Sequence, residues 1–215
     1  MRWSLVLLLT ATAVAAAIAF GGLRNSIVFP GKKVDKAELS PTDMRKLTLV
    51  RLRKFSTDVK VYTARHGLNE RYCFLIDMKM ASGMKRFFIY DLKNDSVLQS
   101  GLVTNGSGIN SLADTVIFSN EPGSNCTSLG KYKTGKSYYG KFGLAWKLYG
   151  LDKTNSNAFN RFVVLHSHPC VPDNEIAPGE ICQSWGCPTV SPAFLSQVKT
   201  YLRPSAAPVL LWIFK

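Results

Sequence analysis

Acidic residues are scarce in this 215-residue sequence: 14 Asp and Glu stand against 27 Lys and Arg, a formal net charge of +13. A chain this basic is drawn toward polyanions such as nucleic acid, acidic lipid or wall polymer. The motifs that would turn the charge into nucleic-acid recognition are missing. There is no finger spacing, no aromatic–basic strand signature and no basic helix leading into a zipper. No Cys-x-x-Cys pair is present, which weighs against the usual structural zinc frameworks. Internal repeats are also lacking, which excludes solenoids and propellers. With 46% hydrophobic and 19% charged residues, global disorder is excluded as well. The length holds an N-terminal signal and one globular domain.

What is present begins at the N-terminus. Met1-Arg2-Trp3-Ser4 is a short positive start, followed by an uncharged run from Leu5 to Leu23. Ala17-Ile18-Ala19 offers small residues to a signal peptidase. The run is also close to the roughly 20 apolar residues that span a bilayer. Residues 1–23 are therefore expected to be a cleaved signal or an uncleaved anchor, and the rest of the chain to be exported. No Cys follows the run, so it does not resemble a lipoprotein signal. Residues 24–40, with Pro30-Gly31 and several lysines, form a polar tether, and the domain occupies 41–215. Export makes disulfides durable. The cysteines are Cys73, Cys126, Cys170, Cys182 and Cys187, an odd set that leaves one thiol over.

Along the domain, residues 41–66 have a helical pattern. Thr42 or Asp43 serves as cap, and Met44, Leu47, Val50, Phe55, Val59 and Tyr62 recur near one helical turn apart. Arg45, Lys46, Arg51, Arg53, Lys54 and Arg65 are expected on a solvated face, with a membrane surface or anionic wall polymer as alternative contact. Short strands are predicted at 72–80, 86–92, 96–104, 129–133, 142–149, 161–167 and 208–214, divided by Gly, Asn, Asp and Ser. A Gly- and Ser-rich stretch from Asn105 to Ser128 is too long for a hairpin turn and reads as a functional or mobile loop. Ser191-Pro192 opens a short helix to about Leu202. The sum is a mainly β domain with an N-terminal helical lead.

The chemistry gathers near the end. His166 closes an apolar strand, and Cys187 follows in Ser184-Trp185-Gly186-Cys187-Pro188. A thiol attacks as thiolate, and an imidazole within hydrogen-bond reach takes its proton and later returns it to a leaving amine. Gly186 lets the backbone approach a substrate carbonyl, and the amides around Gly186 and Cys187 are candidates for an oxyanion site. No nearby Asp or Asn offers to orient the ring, so a backbone carbonyl near Ser167 is the candidate. The competing reading pairs Cys187 with Cys182 or Cys170 in a disulfide.

An apolar strand, His-Ser, a loop and then Ser-x-Gly-Cys resemble the signature of L,D-transpeptidase catalytic domains of the YkuD type. The resemblance is nearest to the murein L,D-transpeptidase catalytic domain branch. It is carried in order by Leu75-Ile76-Asp77, Arg86–Asp91, Phe118-Ser119-Asn120, Ser128-Leu129-Gly130, Tyr138-Tyr139-Gly140 and Ser184–Pro188. By resemblance the fold is a β-rich, sandwich-like sheet with a short helix after the nucleophile. Cys187 would be the nucleophile and His166 the base, with the Ser167 carbonyl holding the ring. Ser184 and Gly186 would support the nucleophile loop. The reaction implied is transfer of a peptidoglycan stem peptide through a Cys187 thioester to a neighbouring amine, giving a 3→3 cross-link, with no metal or organic cofactor. The partners implied are stem peptides and the anionic cell envelope, not nucleic acid.

Two departures stand out. Trp185 takes a place where the wider family has a second His or an Arg. His168 shares a strand face with His166 and is the alternative base. Cys170 and Cys182 lie between base and nucleophile, where a disulfide would shorten the loop and leave Cys187 free, with Cys73–Cys126 as the second pair. A Cys182–Cys187 bridge would instead be a redox switch. Three rival functions remain. Water as acceptor would give an L,D-carboxypeptidase or cross-link hydrolase. His166, His168, Cys170, Cys182 and Cys187 are together a set of zinc-competent ligands. A wall-binding module without catalysis is the third.

Overall fold

Cys73–Ile76 and Leu210–Phe214 carry apolar side chains at consecutive positions, without the alternation of a half-exposed strand. Such runs need cover on both faces. The computed structural model describes residues 41–109 and 115–215 and supplies that cover. Its elements are α1 (Pro41–His66), β1 (Tyr72–Asp77), β2 (Phe87–Asp91), β3 (Ser96–Gly101), β4 (Gly130–Gly140), β5 (Gly143–Gly150), β6 (Val164–Ser167), β7 (Thr189–Val190), α2 (Pro192–Leu202) and β8 (Leu210–Phe214). Among the described residues the strands join in one sheet, ordered β3-β2-β1-β8-β4-β5-β6-β7. The β1–β8 and β6–β7 pairs are parallel and the others antiparallel. The mainly β class expected from the sequence is the class observed. The N-terminal run and the tether lie outside the described residues. No helix among those described is long and apolar enough to cross a membrane.

The period-two rule sorts each central strand between two cores. Cys73, Leu75, Phe88, Tyr90, Leu210 and Phe214 pack with Leu52 and Val59 of α1. The intervening Phe74, Ile76, Phe87, Ile89, Leu211 and Ile213 pack with Phe194, Leu195 and Val198 of α2. The start of α2 is fixed by Ser191, whose Oγ accepts the Phe194 amide at 3.1 Å, and by Pro192 at the first helical position.

The helical lead spans the predicted residues, but its buried face differs from the apolar pattern. Thr48, Leu52, Ser56, Val59 and Thr63 are buried, while Leu47 and Val50 are 50% and 65% exposed. Small hydroxyl residues let the helix sit close to the sheet, and Ser56 Oγ is satisfied by the Arg53 carbonyl at 2.9 Å and by Asp95 Oδ1 at 3.1 Å. Arg51 also leaves the expected solvated face. Its guanidinium makes a two-pronged contact with buried Asp77, Nε to Oδ2 at 2.7 Å and Nη2 to Oδ1 at 2.8 Å, tying α1 to the end of β1.

Strand ends moved for reasons of pairing. β4 runs on to Gly140, well past the predicted end at Lys133, because β5 supplies partners as far as Gly140 opposite Gly143. The segment expected to be a strand from Arg161 starts only at Val164, since Phe162 adopts a positive φ of 55°. Cys73 and Cys126 remain separate buried thiols, which corrects the expected second disulfide. Cys73 faces the α1 core, whereas Cys126 Sγ donates to the Ser124 carbonyl at 3.3 Å, and the Cys126 carbonyl lies against Gly186.

One buried cation braces the approach to the site. Arg86 is 1% exposed and donates to the carbonyls of Val103 (3.0 and 2.9 Å) and Met80 (3.0 Å) and to Asn105 Oδ1 (2.8 Å). Burial lowers its pKa to about 10, offset in part by the charges of Glu180 and Asp77. Arg86→Met should strand these acceptors without donors. The expected loss is about 3 kcal/mol of unfolding free energy, measurable by urea denaturation.

Candidate active site

His166 owes its place to β6, which is flanked by β5 and β7 and presents the ring from the sheet near its edge. The residue is buried, at 6% exposure, and Phe142 at the β4–β5 turn stacks on its ring with centroids 4.9 Å apart. Nδ1 lies 3.1 Å from the Ser167 carbonyl oxygen and Nε2 lies 3.0 Å from Thr189 Oγ1. A carbonyl can only accept, so Nδ1 carries the hydrogen and Nε2 is the basic nitrogen in the neutral ring.

Cys187 sits at the end of a loop held from three sides. Ser184 donates its amide to the Asn105 carbonyl at 2.9 Å, and its own carbonyl accepts the Ser107 amide at 2.8 Å. Ser184 Oγ accepts the Gly186 amide at 3.2 Å and donates to the Cys187 carbonyl at 2.6 Å. The Gly186 amide is thus engaged within the loop in this conformation, so an oxyanion site would draw its donors from elsewhere. Thr104 Oγ1 donates to the same Cys187 carbonyl at 3.2 Å and accepts the Thr189 amide at 3.2 Å. Thr104, Asn105 and Ser107 therefore brace the loop that carries Cys187. Gly186 has φ +104°, and a Cβ there would lie 2.6 Å from the Cys126 carbonyl oxygen.

Cys187 Sγ lies 3.8 Å from the Phe162 carbonyl oxygen, where the thiol can donate. Burial raises the Cys187 pKa, opposed by the Val164 backbone and the charge of Arg161. The Arg161 guanidinium contacts the carbonyls of Ser119 (2.9 Å) and Cys126 (2.6 Å) and the hydroxyls of Ser124 (3.3 Å) and Ser128 (3.4 Å). None of these partners is a carboxylate, and the charge of Arg161 acts on the thiol through space. Burial lowers the His166 pKa, the Ser167 carbonyl raises it and nearby His168 lowers it. Both groups are thus biased to neutrality, as thiol and imidazole.

His166 and Cys187 line one cavity of about 250 Å³, together with His168, Trp185, Thr189, Cys170 and Cys182. Cys170 and Cys182 are joined in a disulfide, and Cys187 is a free thiol. Two of the five ligands in the zinc reading are thereby oxidised and offer no thiolate. His168 lies one residue beyond the end of β6, yet it lines the same cavity as His166 and meets Phe142 with ring centroids 6.1 Å apart. Its Nδ1 accepts the Cys170 amide at 3.2 Å. Trp185 is 75% exposed at the cavity.

The sequence reading missed Thr104, Phe142, Arg161 and Thr189. Thr189 belongs to a two-residue strand too short to leave a periodic signal. Arg161 falls in a segment whose pattern predicts a strand, and only its position just before the positive-φ Phe162 distinguishes it.

Comparison with solved structures gives low-identity likenesses. The structure of the Ldtfm–avibactam carbamoyl enzyme matches at 10% identity and TM-score 0.43, covering 68% of this chain and 50% of that one. The helical cell shape determining protein Pgp2 from Campylobacter jejuni matches at 11% identity and TM-score 0.41, covering 67% and 47%. The chain thus spans about half the length of these proteins. No curated protein matches. The model of the L,D-transpeptidase catalytic domain matches residues 44–210, and the chain belongs to that family.

Proposed function

We propose that this protein is an exported, cysteine-dependent acyltransferase that forms 3→3 cross-links between peptidoglycan stem peptides. Residues 1–23 act as its signal or anchor, 24–40 as a tether, and 41–215 as the catalytic domain. The observation that carries the reading is a free Cys187 thiol sharing one cavity with a histidine whose Nδ1 is engaged by the Ser167 carbonyl. That hydrogen bond commits Nε2 to accepting a proton.

In the first step Nε2 of His166 takes the Cys187 proton, and the thiolate attacks the carbonyl of the third residue of a tetrapeptide stem. The peptide C–N bond breaks, the terminal D-Ala leaves with the proton from His166, and a thioester remains on Cys187. A neighbouring stem amine then attacks the thioester and regenerates the thiol. The Arg161 charge favours the thiolate through space. The Cys170–Cys182 disulfide keeps neighbouring thiols from competing with Cys187.

The test is incubation with a tetrapeptide stem or a carbapenem, followed by intact mass and peptide mapping. The expected adduct maps to Cys187, and an adduct on any other residue defeats the proposal. With stem peptide as donor, a cross-linked product marks an amine acceptor and a free tripeptide marks water. The pH profile is a second check. A protonated His166 cannot accept, so labelling falls on the acid side. Since burial depresses the His166 pKa, that fall is expected below the ordinary histidine value of about 6.5.

A further inference from the structure

The Cys187 carbonyl oxygen has three hydroxyls around it: Ser184 at 2.6 Å, Thr104 at 3.2 Å and Thr189 at 3.4 Å. A carbonyl oxygen has two lone pairs. The two shorter contacts occupy them, and Thr189 is left with the longest. Its Oγ1 is nearer to His166 Nε2, at 3.0 Å. With Nδ1 donating to Ser167, Nε2 has a lone pair and no hydrogen, so the Thr189 hydroxyl donates to it. Thr189 is 3% exposed, and water does not readily replace that donor.

We propose that Thr189 is a positioning residue for the base: it holds Nε2 in the proton-accepting form at rest, and its oxygen receives the Nε2 hydrogen once His166 is charged. The proposal rests on the assignment of His166 as base. In the proton transfer the Thr189 hydroxyl first rotates its hydrogen off Nε2 toward the Cys187 carbonyl, a long third contact there, which frees the Nε2 lone pair. The Cys187 S–H bond then breaks, its electron pair stays on sulfur as thiolate, the proton bonds to Nε2, and the Thr189 oxygen accepts the new Nε2–H. Nothing is oxidised or reduced.

Thr189 serves both protonation states of the ring, but not equally. A hydrogen bond from a charged N–H is roughly twice as strong as a neutral one. The hydroxyl therefore favours the imidazolium and counteracts the burial that disfavours it. Removing the hydroxyl while keeping the shape should lower the His166 pKa further, because the cation loses more than the neutral ring does.

The experiment compares full-length wild type, Thr189→Val and Thr189→Ser. The His166 ring nitrogens are titrated by ¹⁵N NMR, and carbapenem labelling rates are measured alongside. Valine keeps the shape and loses the hydroxyl, whereas serine keeps the hydroxyl and loses a methyl group. The expected result is a neutral ring protonated on Nδ1, a lower His166 pKa and roughly tenfold slower labelling in Thr189→Val, with both recovered in Thr189→Ser. If Thr189 matters only for packing, the order reverses and serine is the impaired variant. That reversal overturns the proposal, as does an unshifted valine variant or a neutral ring protonated on Nε2. The NMR titration needs no turnover, so a wild type that fails to label Cys187 would sink the functional proposal while leaving the Thr189–His166 linkage measurable.

Discussion

His166→Ala is expected to slow acylation of Cys187 about a thousandfold, measured as the rate of carbapenem adduct formation at neutral pH. Three features make the expected loss large. The thiol is raised above its ordinary pKa by burial, so little thiolate forms unaided. The thiol rests against the Phe162 carbonyl, which accepts a hydrogen bond but cannot remove a proton at neutral pH. Arg161 assists by charge alone and carries no basic nitrogen. His168 is the only other imidazole on the cavity among the described residues, and its Nδ1 is committed to the Cys170 amide. His168→Ala should therefore produce a far smaller fall, and the opposite order would reassign the base. The His166→Ala defect should shrink as pH rises, because hydroxide progressively replaces the missing base.

Gly186→Ala is expected to cut labelling by at least about a hundredfold while the domain still folds. The added methyl meets the Cys126 carbonyl oxygen at 2.6 Å and its carbon at 3.2 Å, which are backbone atoms with no rotamer to retreat to. That oxygen also accepts a 2.6 Å hydrogen bond from Arg161. The φ of +104° adds strain for any residue with a Cβ, of order 1–3 kcal/mol. The loop can relieve both only by moving, which carries Cys187 away from His166. A misplacement of about 1 Å can cost on the order of a hundredfold in rate. Intact-mass labelling and a thermal melt check this together. Wild-type labelling with an unchanged melting temperature would show that this close approach is dispensable.

The sequence by itself determined the β-rich class, the helix over 41–66, the helix begun by Ser191-Pro192, and the two residues around which the site is argued. These features are written locally. Turn residues punctuate the strands, the helix starts carry their own caps, and the order of motifs from Leu75 to Pro188 survives without any knowledge of contacts. What depended on distant parts of the chain was misread or invisible. Alternating positions on β1 and β8 face two different cores, so the strands showed no periodicity from which to assign faces. The buried face of α1 includes Thr48, Ser56 and Thr63, whose burial follows from close approach to the sheet and not from hydrophobicity. The length of β4 was set by its partner β5. Cys73 and Cys126 could be matched by counting, but their environments keep them apart.

The same division runs through the site. His166 and Cys187 are legible because their chemistry is rare in any sequence, whereas Thr189, Thr104 and Arg161 are common residue types. Their significance comes from position alone. Three hydroxyls converge on one carbonyl oxygen, and one guanidinium sits among carbonyls and hydroxyls beside a thiol. Hydrogen bonds act over about 3 Å and depend on direction. Only the folded chain brings Thr104 within that range of Cys187 and seats Arg161 against the Cys126 carbonyl, so tertiary structure decided how the site is braced, which histidine nitrogen is basic, and what charge the thiol feels.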